Sequence, residues 1–307
     1  MDKISITINS PFGSVIDLFD NEDTFPDLTF VIPGLEKPLE LHRGILGQRS
    51  KLTKGLLKGK EVTKDEEANK IEWMFEMGNE ADKLALVKAL RFCYGEALKV
   101  DIQKGECCAT IAALFRLQVT CLDEAMSQLV AFALEQTKHN TILGTKLLIE
   151  TQSYPECCNV NTCDLDKELA KIVFTTKNIC EHYEDVVDGC LMKLPMEYLD
   201  LTEYGEAHTM YSEFSLRTKY AKEHAQSLSR EEKETLLGKC NWTKIQSGKL
   251  KILRELDMVG DALMKEACDK VLENTEKGKK EYTDLATRTE TERDEARKKS
   301  KLKGCTH

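Results

Sequence analysis

Proline is scarce in this chain, with 6 among 307 residues, and glycine numbers only 17. Chain breakers are therefore few, and long stretches are free to be helical. A long apolar run is missing too: nothing approaches the roughly 20 consecutive apolar residues that a spanning helix needs, so no membrane is expected as a partner. The opening stretch MDKISITINSPFGSV has no extended apolar segment of the kind that marks a secretory signal, and a cytoplasmic or nuclear protein is the expectation. Positive charge is not in excess either. Lys and Arg total 44 against 53 Asp and Glu, a net of −9, which argues against a dedicated nucleic-acid binder. Also absent are GxxxxGKS/T, GxGxxG, HExxH and GxSxG, so neither an enzyme nor a bound cofactor is expected. No self-similarity appears at periods of roughly 20–50 residues, which excludes solenoids and propellers.

Cysteine is abundant, at 12. Without a secretory signal these residues read as reduced thiols serving as small apolar groups, and Cys93, Cys121, Cys180, Cys190 and Cys268 fall inside helical patterns. Cys157, Cys158 and Cys163 form a CCx₄C cluster, but only His139 and His182 are near in sequence. That does not make the paired spacing of a structural zinc site, and no metal is expected.

The most informative segment is Asp27 to Ser50, DLTFVIPGLEKPLELHRGILGQRS. Leu28, Phe30, Val31 and Ile32 predict a strand, Pro33-Gly34 a turn, and Leu39 and Leu41 a second strand. Ile45 and Leu46 begin a helical period, and Ser50 is placed to cap a second helix through Leu52, Leu56 and Leu57. His42, at the strand–helix junction, reads as a structural imidazole bonded to nearby backbone. Ile4–Ile8 alternates as a short strand, and Lys70–Met77 reads as a third β-segment with Ile71, Trp73 and Phe75. Asp82 to Ala97 is predicted as an amphipathic helix with Leu84, Val87, Leu90, Arg91 and Tyr94 on one stripe, widened by Leu86 and Phe92 and ended by Gly95. Leu98–Ile102 alternates, then helices follow at 109–120, 122–136 and 140–149. After a turn-rich cysteine loop come predicted helices at 165–175, 179–194, 202–224, 229–240 and 248–257, and a last one from about 261.

The order β–β–α–α–β–α–(β)–α–α over residues 27–136 resembles the BTB/POZ domain. The residues that carry the resemblance are Asp27-Leu-Thr-Phe30, Leu41-His42-Arg43, Leu46, Arg49-Ser50, the stretch LVKALRFCYGEALKV with Tyr94-Gly95, and ALFRLQVTCLDEAMSQLVAF. The stretch CLMKLPMEYLDLTEYGEAHTMYSEFSLRTKYAKEH resembles the BACK region of Kelch-like proteins, here without Kelch repeats. The expected fold class is thus an α+β N-terminal BTB/POZ domain, a small mixed sheet covered by helices, followed by an all-α BACK-like region. Expected divisions are an N-terminal extension at 1–26, the BTB/POZ-like domain at 27–136, a helix and cysteine-containing linker at 137–164, the helical region at 165–274 and a charged tail at 275–307.

What the resemblance implies is a homodimerising protein-interaction adaptor, bridging an unidentified substrate protein to a cullin-RING ubiquitin ligase. Alternatives are a dimeric scaffold or regulator outside any ligase, and a cysteine-based metal or redox sensor. The partner surfaces it implies are a dimer interface at Ile45, Leu46 and Leu52, joined by an exchanged strand carrying Ile4, Ile6 and Ile8. It further implies a charged pocket at Asp27 and Arg43, and a cullin-contact loop at Val62, Lys64, Asp65 and Glu66. In that loop the family's apolar-x-Glu motif is replaced, since Lys64 stands two positions after Val62.

Overall fold

The computed structural model describes residues 4–58, 69–73, 75, 79–160, 163–206, 209–242, 245, 262–273 and 275–276. It is a mixed α+β protein, mostly helical, with small sheets. The chain divides into two compact units, Met1–Thr202 and Glu203–His307.

The first unit opens with β1 (Ser5–Ile8), which pairs antiparallel with β5 (Leu98–Asp101) in the register Ile6↔Val100 and Ile8↔Leu98. A second sheet has the order β3-β2-β4, from β2 (Leu28–Val31), β3 (Leu39–Leu41) and β4 (Lys70–Glu72). The β2/β3 pair is antiparallel and β2/β4 is parallel. Alternation decides which face is covered: Leu28, Phe30, Leu39 and Leu41 are buried, while Thr29 and Glu40 lie between them and meet through the Thr29 hydroxyl, 3.3 Å from the carboxylate. Gly34, at φ +79°, closes the turn.

Helices α1 (Arg43–Arg49) and α2 (Lys51–Leu57) meet at Ser50, as its N-cap chemistry predicts. The buried Ser50 hydroxyl accepts the Thr53 N–H at 3.1 Å and donates to the Leu117 carbonyl at 2.6 Å. One side chain thus satisfies the start of one helix and the end of another, α4 (Glu106–Leu117).

The predicted helix at 82–97 is α3 (Glu80–Cys93), started by an Asn79/Asp82 capping box. Its buried stripe keeps Leu86, Leu90, Phe92 and Tyr94 of the expected one and differs in the rest. Ala85, Leu86, Ala89, Leu90 and Cys93 face the core, whereas Leu84 is 44% exposed and Val87 and Arg91 are half-buried. The small residues on this stripe permit close packing against α4, its most extensive neighbour. Gly95 follows at φ +92°, and a Cβ there would lie 2.6 Å from Ser14 Cα. Only glycine admits the N-terminal strap, whose Val15 N–H donates to the Tyr94 carbonyl at 2.8 Å.

Helices α5 (Leu122–His139) and α6 (Thr141–Thr151) follow, so residue 136 lies within a continuous helix. The cysteine loop, expected to be irregular, contains a 3₁₀ turn at Pro155–Cys157 and a two-stranded ladder of β6 (Cys158–Val160) and β7 (Cys163–Asp164). Next come α7 (Leu165–Val173) and α8 (Thr176–Glu181). The helix predicted at 179–194 is broken instead into α8, a π-helical turn at Glu184–Asp188 and a 3₁₀ turn at Leu191–Lys193. Gly189 packs against Asp185, where a Cβ would lie 2.6 Å from its carbonyl oxygen.

The helix predicted from Thr202 to His224 is shorter by its first half. Thr202 turns back, its hydroxyl donating to the Tyr198 carbonyl at 3.1 Å. In the second unit, Ser212 caps α9 (Glu213–Glu223), and Ser229 caps α10 (Arg230–Gly238) with a Glu232 capping box. Residues 262–273 are helical; the helix predicted at 248–257 lies outside the described residues.

Candidate interaction surface

The residues expected at a dimer interface fall into two groups. Leu46 is fully buried and Ile8 is 1% exposed, so both fill the chain's own core. Ile4, Ile6, Ile45 and Leu52 are half-buried and retain surface to offer a partner. The strand that carries Ile6 and Ile8 pairs with β5 of the same chain.

Asp27 and Arg43 are close, but through backbone. The Asp27 carboxylate accepts the Arg43 backbone N–H at 2.7 Å, satisfying a first-turn donor of α1, while the Arg43 guanidinium donates to Asn69 Oδ1 at 2.8 Å. Both residues are half-buried, beside a shallow groove of about 480 Å³ lined by Asp27, Thr29, Glu40, Asn69 and Lys70. Val62, Lys64, Asp65 and Glu66 lie outside the described residues.

His42 holds its neighbours in place. Its ring Nε2 lies 3.2 Å from the Thr24 carbonyl and its backbone N–H donates to the Tyr94 hydroxyl at 2.7 Å. Tyr94 is fully buried, which pushes its phenol well above the usual range and keeps it a neutral hydrogen-bonding group.

Several cysteines behave as core residues, whereas Cys180 is exposed. Cys93, Cys108, Cys157, Cys190 and Cys240 are buried free thiols. Desolvation pushes Cys93, Cys190 and Cys240 up to about 12. Two members of the CCx₄C motif take separate backbone partners: Cys157 Sγ–H points at the Cys108 carbonyl, 3.9 Å away, and Cys158 donates to the Thr151 carbonyl at 3.3 Å. Among the described residues, no three His, Cys, Asp or Glu side chains converge as metal ligands would. No helix among them is long and apolar enough to cross a membrane.

Sequence reasoning missed the buried polar contacts that tie the first unit together. The Tyr154 hydroxyl donates to Asp82 at 2.7 Å and the Tyr198 hydroxyl to Asp166 at 2.6 Å, both across long sequence separations. Glu106 accepts Lys88 at 2.6 Å and the Asp101 N–H at 2.9 Å. Glu150 faces Gly105 and Cys108 at the start of α4, and burial raises its carboxyl to about 7. Nothing in local pattern marks these partners.

A shallow groove of about 330 Å³ was also unforeseen. Leu84, Val87 and Arg91 of α3 form one wall and Glu96 to Lys99 the other. In comparisons with known proteins, no family model matches the chain and no curated protein matches it.

Proposed function

We propose that this chain is a protein-interaction adaptor of BTB/POZ type that associates with a second copy of itself. The observation that supports the reading is the arrangement of its first unit. A β2–β3 hairpin leads into the α1–α2 pair, β4 adds parallel to β2, and α3, β5, α4 and α5 follow in the order that the sequence resemblance implies. A site built for chemistry is not needed by this reading, and the buried Tyr154 and Asp82 of the first unit bond each other.

In the proposed dimer, Ile45 and Leu52 form the apolar centre and β1 is exchanged, so that the β1–β5 ladder forms between chains with the register seen within one. Exchange conserves the ladder while adding an intermolecular tie. Light scattering of the intact chain at micromolar concentration tests this: a dimer mass supports it, and a monomer mass throughout sinks it. Bridging to a cullin-RING ligase is the more specific form of the proposal. It rests on the family resemblance, and its test is a pull-down of a purified cullin scaffold by the intact chain. A dimer that leaves the cullin unbound points to the scaffold role instead.

A further inference from the structure

We infer that two copies of this chain dock strap against helix, the acidic N-terminal strap of each lying on the basic α2 of the other. The inference rests on the self-association proposed above and names the surface that carries it. From Val15 to Pro26 the strap holds four carboxylates, Asp17, Asp20, Glu22 and Asp23, and no Lys or Arg. From Lys51 to Lys58 the chain holds three lysines, Lys51, Lys54 and Lys58, and no acid. All seven side chains are exposed, and none makes an ion pair among the described residues. Asp20 accepts the Glu40 backbone N–H at 3.1 Å, a neutral donor that leaves its charge uncompensated. The chain thus carries two patches of opposite sign that it does not itself bring together.

Both patches border α1. The strap runs beside it in the opposite direction: Arg49, at the end of α1, donates to the Gly13 carbonyl at 3.4 Å, and the His42 ring, at its start, lies 3.2 Å from the Thr24 carbonyl. α2 follows directly at Ser50. A two-fold axis between the patches sets each strap against the other copy's α2, and every pairing occurs twice. Strap on strap would put carboxylate against carboxylate, so charge selects this register. Phe25, 91% exposed at φ +56°, gives the strap an apolar anchor. The Thr24–His42 contact on one side and the Asp27–Arg43 backbone bond on the other tie it to its own chain. Half-buried Leu52 and Leu56, four residues apart, give the facing helix an apolar stripe beside its lysines. At Gly44 and Gly47 of α1 a Cβ would meet nothing within 4 Å, so the second copy can approach closely there.

Sedimentation equilibrium of the intact chain and of two variants, altered only at exposed positions, tests this. Glu22→Lys with Asp23→Lys makes the strap basic, and Lys54→Glu with Lys58→Glu makes α2 acidic. Each variant alone should dimerise about tenfold or more weakly than the parent, since like charges then face each other. An equimolar mixture of the two should recover the parent's affinity as a heterodimer, because both contacts again pair opposite signs. That recovery also shows that both variants fold. Phe25→Ala should weaken the dimer while the folded signal persists. A parent dimer that neither reversal weakens, a mixture that fails to recover, or a Phe25→Ala dimer as tight as the parent's overturns this docking and leaves self-association through another surface standing. A parent that stays monomeric overturns both.

Discussion

The Tyr94 hydroxyl meets His42 twice, accepting its backbone N–H at 2.7 Å and lying 3.4 Å from its ring Nδ1. The contact spans 52 residues and pins the entry of α1 to the end of α3. Tyr94→Phe keeps the ring and removes the acceptor, leaving a half-buried N–H without its partner. The loss should be about 1–2 kcal/mol of folding stability. Urea unfolding with an unchanged slope and a lower midpoint is the expected result.

Gly95→Ala tests the strap that crosses behind Tyr94. The substitution meets both a left-handed backbone and a Cβ contact with Ser14, and relief requires the strap to move. A destabilisation of about 1–3 kcal/mol is expected. Limited proteolysis should cut faster between residues 9 and 25 than in the parent protein, because Phe12 and Phe19 lose their seats beside Phe92 and Tyr94.

Glu150 gives the fold a pH dependence. Burial raises its carboxyl from the usual 4.5 to about 7, so the folded chain retains a proton that the unfolded chain releases. Stability attributable to this group is complete below 4.5, declines as pH rises to 7, and is flat above. The total is about 3 kcal/mol. Glu150→Gln should remove that slope and raise the melting temperature at pH 8 more than at pH 4.5, read by thermal melts across the range.

Leu46 separates core from interface. Leu46→Ala should cost about 2–5 kcal/mol of stability, as deletion of a fully buried Leu does. Leu52→Asp, at a half-buried position, should instead lower the solution mass of a dimer while the folded signal persists.

Thiol reactivity should follow burial. Cys93, Cys190 and Cys240, held up to about 12, should resist an alkylating reagent at pH 7.5 until the chain unfolds, whereas exposed Cys180 should react at once. Mass-spectrometric mapping after short exposure reads each site.

How far the sequence can be read depends on how local the cause is. Ser50 was legible because capping is chemistry between neighbours: its hydroxyl takes the Thr53 N–H three residues on. The strands at 28–31 and 39–41 were legible because alternation and a Pro-Gly turn are local too. Thr202 was misread for the same reason. It is as good a cap as Ser212, and only the backward bond to Tyr198 removes it from that task. On α3, the apolar residues are too numerous to choose a face, and the close approach of α4 selects the stripe with Ala85, Ala89 and Cys93.

By itself the sequence determined the element order from β1 to α6 and the cap that starts α2, since each follows from steric or hydrogen-bonding rules acting over a few residues. The tertiary structure alone decided that Leu46 and Ile8 belong to the core, that Asp27 holds backbone, that Cys157 and Cys158 take separate partners, and that a groove opens beside Lys99. Those outcomes depend on which distant surfaces meet, and burial is a property of that meeting.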